Sequence, residues 1–190
     1  MYKVKIISST VRPGRKGPIV ANWITEETKK HGAFDAELLD LGEIALPLMN
    51  EAAHPRMKKY EHDHSKRWSE KIDEADAFIF VTAEYDYSYP ASLKNALEYL
   101  LHEWAYKPAG LVSYSIGPFA GVRAICSLKN DLLSLRTIAL NEWVTIPTVE
   151  KFVNDDGVFV PNESLIAQKN TMLDQLVRWT KGMTLIRNDK

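Results

Sequence analysis

From Ala77 to Thr82 the chain carries Phe78-Ile79-Phe80-Val81 without a polar interruption. Consecutive residues of a strand point to opposite faces, so such a run suits a central parallel strand covered on both sides. The surrounding sequence alternates strand-like and helix-like segments. Val4 to Ser8 reads as a buried strand. Pro18 to Lys30 reads as a helix with Ile19, Val20, Trp23 and Ile24 on one side, and Phe34 to Leu41 as a second strand. Gly42 to Arg56 reads as loop. Lys58 to Glu74 reads as a charged helix, apolar mainly at Tyr60, Trp68 and Ile72. After the central run, Pro90 to Glu103 reads as a helix, its start marked by Pro90 and Ser92. Gly110 to Ser115 is a further buried strand, Ala120 to Arg136 a helix and Asn141 to Pro147 a short strand. Asn154-Asp155-Asp156-Gly157 has the turn chemistry of a hairpin, and Ser164 to Ile186 is a closing helix.

Strands alternating with helices at this spacing imply right-handed crossovers and an α/β fold. The expectation is a single domain over residues 1–190, a three-layer sandwich whose five-stranded parallel sheet has the order 2-1-3-4-5. A sheet of that order takes its ligand in the crevice at the carboxyl ends of strands 1 and 3. The loops after strands 1, 3 and 4 are therefore where chemistry is expected.

A formal net charge of -1 argues against a nucleic-acid binder working through a basic face. It also weighs against a strongly acidic carrier that docks on basic partners. Cys126 is the single cysteine, so no internal disulfide forms, which suits a reducing, cytoplasmic setting. The chain enters a strand directly after Met1 and reads as having no signal peptide. No apolar run approaches the ~20 residues that span a bilayer.

The first of the three loops, Ser8 to Pro18, joins a buried strand to a helix. Its hydroxyls, its exposed N–H groups at a helix start and its cations Arg12, Arg15 and Lys16 form a pattern for a phosphate. The loop lacks the Gly-Lys-Ser/Thr end of a Walker A motif, and Gly14 and Gly17 do not give the dinucleotide spacing. The second loop, Ala83 to Pro90, holds Tyr85, Tyr87 and Tyr89, flat walls with polar tips that suit a planar ring system. The third, Ser113 to Ala124, is a turn with Gly117 and Gly121; alone it signifies only a tight strand-to-helix turn.

Together these segments resemble the NADPH-dependent FMN reductase family of flavodoxin-like quinone and azo reductases. Glu84-Tyr85-Asp86-Tyr87-Ser88-Tyr89-Pro90, followed by Leu93-Lys94-Asn95-Ala96-Leu97-Glu98, is similar to the family's Pro-x-Tyr-Asn-x-Ser-x-Pro-x-x-Leu-Lys-Asn-Ala signature. Lys107-Pro108 and the later Gly121-Val122-Arg123-Ala124 resemble a second family motif, and Leu46 to Glu51 resembles a loop that relatives place near the flavin and a dimer interface. The chain departs from the pattern at Ala83 for Pro, Asp86 for Asn, Ser115 for Gly, and in the added Val11. An ionised Asp cannot donate as Asn does.

The resemblance implies non-covalent FMN, with NADPH or NADH as co-substrate. It implies that Ser9, Thr10, Arg12, Gly17, Pro18 and Ile19 hold the phosphate, that Glu84, Tyr85, Asp86 and Tyr87 carry the ring, and that Ser113 and Ser115 lie near its polar edge. It implies passage of hydride to planar acceptors (quinones, azo compounds or free flavin), with no catalytic side chain, and a homodimer or homotetramer; the charge, the absence of a long apolar run and the histidine spacing speak against nucleic acid, membrane and metal. Two other readings stay open: a flavodoxin-type electron carrier, and a flavin-bound redox-sensing regulator.

Some residues invite other roles. His62 and His64, two apart in the expected helix, should point in different directions, against a shared metal. Cys126 reads as a buried thiol, Trp143 and Trp179 as core, and Trp104 as packing near an oligomer seam.

Overall fold

The structure, a computed structural model, describes residues 1–189. Strands β1 (Tyr2–Ser8), β2 (Phe34–Asp40), β3 (Ala77–Ala83) and β4 (Pro108–Tyr114) lie parallel in the order β2-β1-β3-β4. The fifth position is shared by two short strands. β5 (Ile138–Ala139) pairs the start of β4 at Pro108 and Ala109, and β6 (Val144–Ile146) pairs its end from Val112 to Tyr114. The expected order therefore holds, with six strands where five were expected, because Leu140 to Trp143 interrupt the edge.

The central run behaves as its composition requires. Every residue of β3 is buried, and its side chains alternate between two cores. Ala77, Ile79, Val81 and Ala83 face α1 (Gly17–Lys30) and α6 (Glu163–Asn188), where Val20, Ile24, Met172 and Leu176 close over the sheet. Phe78 and Phe80 face the other way, against α3 (Asp63–Asp73), α4 (Ala91–Glu98) and α5 (Val122–Ser134). Trp104, expected near a seam, is fully buried in this second core and within 5.0 Å of the Phe78 ring centroid.

Helix ends depart from expectation where long-range partners take over. Lys58 sits at φ +48, closing a 3-10 turn over Pro55–Met57, and Glu51 accepts the backbone N–H groups of Glu61 and His62. The helix expected from Lys58 thus begins at Asp63, after another short helix, α2 (Leu41–Ile44). His62 becomes the N-cap residue, and its ring stacks on His64 at 5.1 Å rather than pointing away. α4 stops at Glu98, well before Glu103, whose carboxylate is buried under the Tyr60 and Ser69 hydroxyls. Asn154 to Gly157 does turn the chain, joined by a single bridge between Val153 and Phe159. Cys126 is exposed on the outer face of α5, and Trp179 is 45% exposed on α6, so neither is core.

Candidate functional site

The carboxyl ends of β1, β3 and β4 bring the three loops to one edge. Ser8, Ser9 and Thr10 are buried as β1 runs out. Ser9 donates its N–H to the Val81 carbonyl (3.0 Å) and its hydroxyl to Thr82 (3.1 Å), while the Ser92 hydroxyl, at the start of α4, donates to the Ser9 carbonyl. Arg15 turns inward to the buried Asp40 carboxylate and the Thr10 carbonyl, and Asp40 also accepts the Gly42 N–H at 2.8 Å. Arg15 is therefore a structural cation. Arg12 stays exposed, with its guanidinium 5.7 Å from the centroid of the Tyr85 ring, linking the first loop to the second.

At the head of α1, a Cβ on Gly17 would lie 2.2 Å from Thr10 Oγ1 and 2.9 Å from the Tyr114 hydroxyl. Only glycine fits there. Thr10 and Tyr114 hydroxyls bond one another at 3.2 Å, and burial pushes the Tyr114 phenol up to about 12. Pro18 follows within the first turn, and Ile19 donates its N–H to Lys16. The buried Ser8 hydroxyl has no partner, and it lies 3.3 Å from the same Cβ position. Among the described residues, the N–H groups of Thr10, Val11, Arg12 and Gly14 bond no backbone carbonyl. Unengaged N–H groups, an orphan hydroxyl and a nearby guanidinium form an anion cradle.

The second loop is a two-residue reverse turn. Tyr85 and Ser88 exchange N–H···O bonds of 2.8 Å, and Asp86 and Tyr87 between them sit at φ +49 and +65. This is type I′ geometry, which Asn and Asp tolerate and a bulky aromatic does not favour. Asp86 thus preserves the backbone for which Asn is suited. Tyr87, 69% exposed, is held in a strained conformation, a feature that clusters at functional sites. The three tyrosines part company. Tyr85 leans on the α1 side of the core, Tyr87 faces outward, and Tyr89 is buried with its hydroxyl on Asp131, so two of them remain as walls. Glu84 turns toward α5, where Oε1 accepts from Arg123 Nε at 2.7 Å, and its other oxygen is buried without a partner.

In the third loop the serine hydroxyls shape the turn. Ser113 donates to the Ala120 carbonyl (2.7 Å) and Ser115 to Gly117 (2.9 Å), while the Ser115 N–H bonds Ile146. Gly121 holds φ +79 against Ser113, where a Cβ would meet that side chain at 2.9 Å. The donors this loop offers a ligand are its backbone N–H groups from Ile116 to Gly121, Pro118 apart.

A fourth segment completes the edge. Asn95 of α4 clamps the stretch 46–51 from both sides, donating to the Pro47 carbonyl at 2.7 Å and accepting the Met49 N–H at 2.9 Å; the Tyr99 hydroxyl adds a third bond at Pro47. The Leu-Lys-Asn-Ala signature pointed to this asparagine without saying what it holds. Leu48 is left 82% exposed at the tip. Between Leu48 and the tyrosine turn opens a hollow of about 660 Å³, and a second of about 260 Å³, bounded by Val11, Gly42 and Ser92, meets it at Asn95. Asn95, Arg15 and Arg123 were missed as positioning residues because their partners lie 25 to 48 positions away.

The chain is similar to known proteins. The family model described as NADPH-dependent FMN reductase matches residues 2–151. An NAD(P)H-dependent FMN reductase of Schizosaccharomyces pombe is 38% identical over 149 residues, spanning 76% of this chain and 74% of that one. An FMN-dependent NADPH-azoreductase of Staphylococcus saprophyticus is 25% identical over 179 residues, covering 93% of this chain and 94% of its own. Among solved structures, a flavoenzyme NAD(P)H:(acceptor) oxidoreductase of Paracoccus denitrificans superposes with a TM-score of 0.74 over 96% of this chain and 99% of that one. At 21% identity it speaks for the fold alone.

Proposed function

The chain belongs to the NADPH-dependent FMN reductase family, and from that premise we propose that it is an NAD(P)H-dependent oxidoreductase that holds FMN at this edge and reduces quinones, azo compounds or free flavin. The carrying observation is the convergence of an anion cradle, a strained tyrosine turn and a turn rich in backbone donors along one crevice. The orphan Ser8 hydroxyl and the unengaged N–H groups of the loop after β1 fit a phosphomonoester. Bound FMN supplies hydride-relay chemistry between a reduced nicotinamide and an oxidised acceptor.

The protein's part is to bind, orient and polarise. Ser9, Thr10, Gly17, Pro18 and Ile19 build the phosphate cradle, with Arg12 as its exposed charge. The Glu84 to Tyr87 turn offers the platform for the ring. Ser113 and Ser115 act through the turn they fold, aiming N–H groups at the ring's polar edge, where they would stabilise added negative charge. No side chain is assigned a proton-transfer role, and stacking on an open platform selects planarity over identity in the acceptor. Relatives named as reductases support the enzyme over the carrier and the sensor. Exposed Leu48 on the clamped stretch supports a homodimer or homotetramer, which light scattering resolves. The single cysteine supports a cytoplasmic setting. Among the described residues no helix is long and apolar enough to cross a membrane.

The test is spectroscopic. The purified protein, reconstituted with FMN if need be, is expected to be yellow and to bleach stoichiometrically with NADPH or NADH under anaerobic conditions. A protein that is colourless and fails to take up added FMN would remove the reading.

A further inference from the structure

Beyond the third loop lies a cavity of about 530 Å³ that the flavin site does not use. Phe119, Phe152 and Pro147 give it flat apolar walls, and Asn162, Gln168 and Thr145 give it polar ones. The amide orientations are fixed by their partners. Asn162 Oδ1 accepts the Leu165 N–H at 2.9 Å, and Gln168 Oε1 accepts the Thr145 N–H at 3.1 Å. A backbone N–H demands an oxygen, so each amide keeps its NH₂ end as a donor; that of Gln168 gives one N–H to the Ser164 hydroxyl at 3.3 Å and keeps the other. Flat walls plus amide donors complement a purine, whose ring nitrogens are acceptors. No carboxylate lines this cavity, whereas a hollow of similar size between α1 and the 157–161 turn carries Glu26 and Glu27. That second hollow would repel a nucleotide's phosphates.

A surface track connects the cavity to the tyrosine turn. The Arg123 guanidinium lies 4.0 Å from the centroid of the Tyr87 ring and 4.8 Å from that of Phe119. Both rings are exposed, at 69% and 65%. Arg123 Nε is taken by Glu84, and among the described residues its two Nη groups have no polar partner. A forked cation with unengaged donors, between an exposed ring at the flavin platform and an exposed ring at a purine-shaped cavity, suits a pyrophosphate. We propose that the Phe119 cavity is the adenylate subsite for the nicotinamide dinucleotide, with Arg123 on the pyrophosphate and the nicotinamide beside Tyr87. This rests on the nicotinamide-dependent reading and specifies which end of the co-substrate goes where.

The test compares the dinucleotide with reduced nicotinamide mononucleotide, which carries the same hydride and lacks the adenylate. The FMN-loaded protein and its Phe119→Ala variant are assayed with NADPH, NADH and the mononucleotide, using one quinone acceptor. Phe119 is exposed, so the variant should fold. The expected result is that the kcat/KM ratio of dinucleotide to mononucleotide falls about tenfold in the variant, the size of one lost base–aromatic stack. Adenosine 5′-monophosphate should inhibit competitively against the dinucleotide and do so more weakly in the variant. An unchanged ratio, or inhibition by the nucleotide that Phe119→Ala does not weaken, would overturn the subsite while leaving the reductase reading intact. Failure of all three reductants with the unaltered protein would overturn both.

Discussion

The two halves of the proposed FMN site are built differently. The phosphate side, Ser8 to Gly17, is made like core: buried hydroxyls, a buried ion pair at Asp40, and a glycine with no room for a methyl group. The ring side, Glu84 to Ser88 with Ser115 to Gly121, is made like surface: exposed aromatics at Tyr87 and Phe119, a strained turn and one ion pair at Glu84. Close packing fixes the first half to a single ligand group, whereas the second can meet a succession of flat partners. On the proposed reading, cofactor choice falls to one region and acceptor breadth to the other, in line with rigid scaffolds that carry adaptable loops.

The contrast can be broken at its strongest point first. Arg15→Met leaves the Asp40 carboxylate buried without its cation and should cost about 3 kcal/mol in chemical denaturation; a loss under about 0.5 kcal/mol would show that the phosphate side is not held as core. Next comes Tyr114 beneath the cradle, with its phenol raised to about 12 in the folded state. A raised value means that the folded form keeps its proton longer. Its stabilisation is complete below the unfolded value near 10 and disappears as pH climbs from about 10 to 12, a loss of about 2–3 kcal/mol that Tyr114→Phe should abolish. Comparing the alkaline stability profiles of the two proteins checks it.

Gly17→Ala should weaken FMN binding by about 5- to 150-fold, an overpacking effect of about 1–3 kcal/mol, read by quenching of flavin fluorescence. The smallest effect is expected on the other side. Tyr87→Gly releases a left-handed aromatic residue and should raise stability by about 1 kcal/mol while lowering acceptor kcat/KM several-fold. A variant both less stable and equally active would argue that the exposed ring is structural.

What could be read from the sequence follows the same division. The uninterrupted apolar run of β3 declared a doubly covered strand, the alternation of segments implied a parallel sheet, and the common order of such sheets, 2-1-3-4-5, located the loops. Local composition carries such information because burial and periodicity are local signals. Side-chain assignments within the loops were less legible. Arg12, Arg15 and Lys16 look alike in sequence, yet the 25-residue reach from Arg15 to Asp40 makes Arg15 structural. Ser113 and Ser115 look like ligand hydroxyls, and their carbonyl partners emerge only once the turn closes. Cys126 sits among apolar neighbours in the chain, but the α5 face that carries it points outward.

The central claim is that the loop after β1 grips a phosphomonoester while the tyrosine turn holds a ring. It is tested most directly by measuring the affinities of the flavin-free protein for FMN and for riboflavin, which shares the ring and lacks the phosphate. A preference for FMN of roughly 100-fold or more, the lower end of what two charge-assisted hydrogen bonds supply, is expected. Equal affinity for the two would contradict the account.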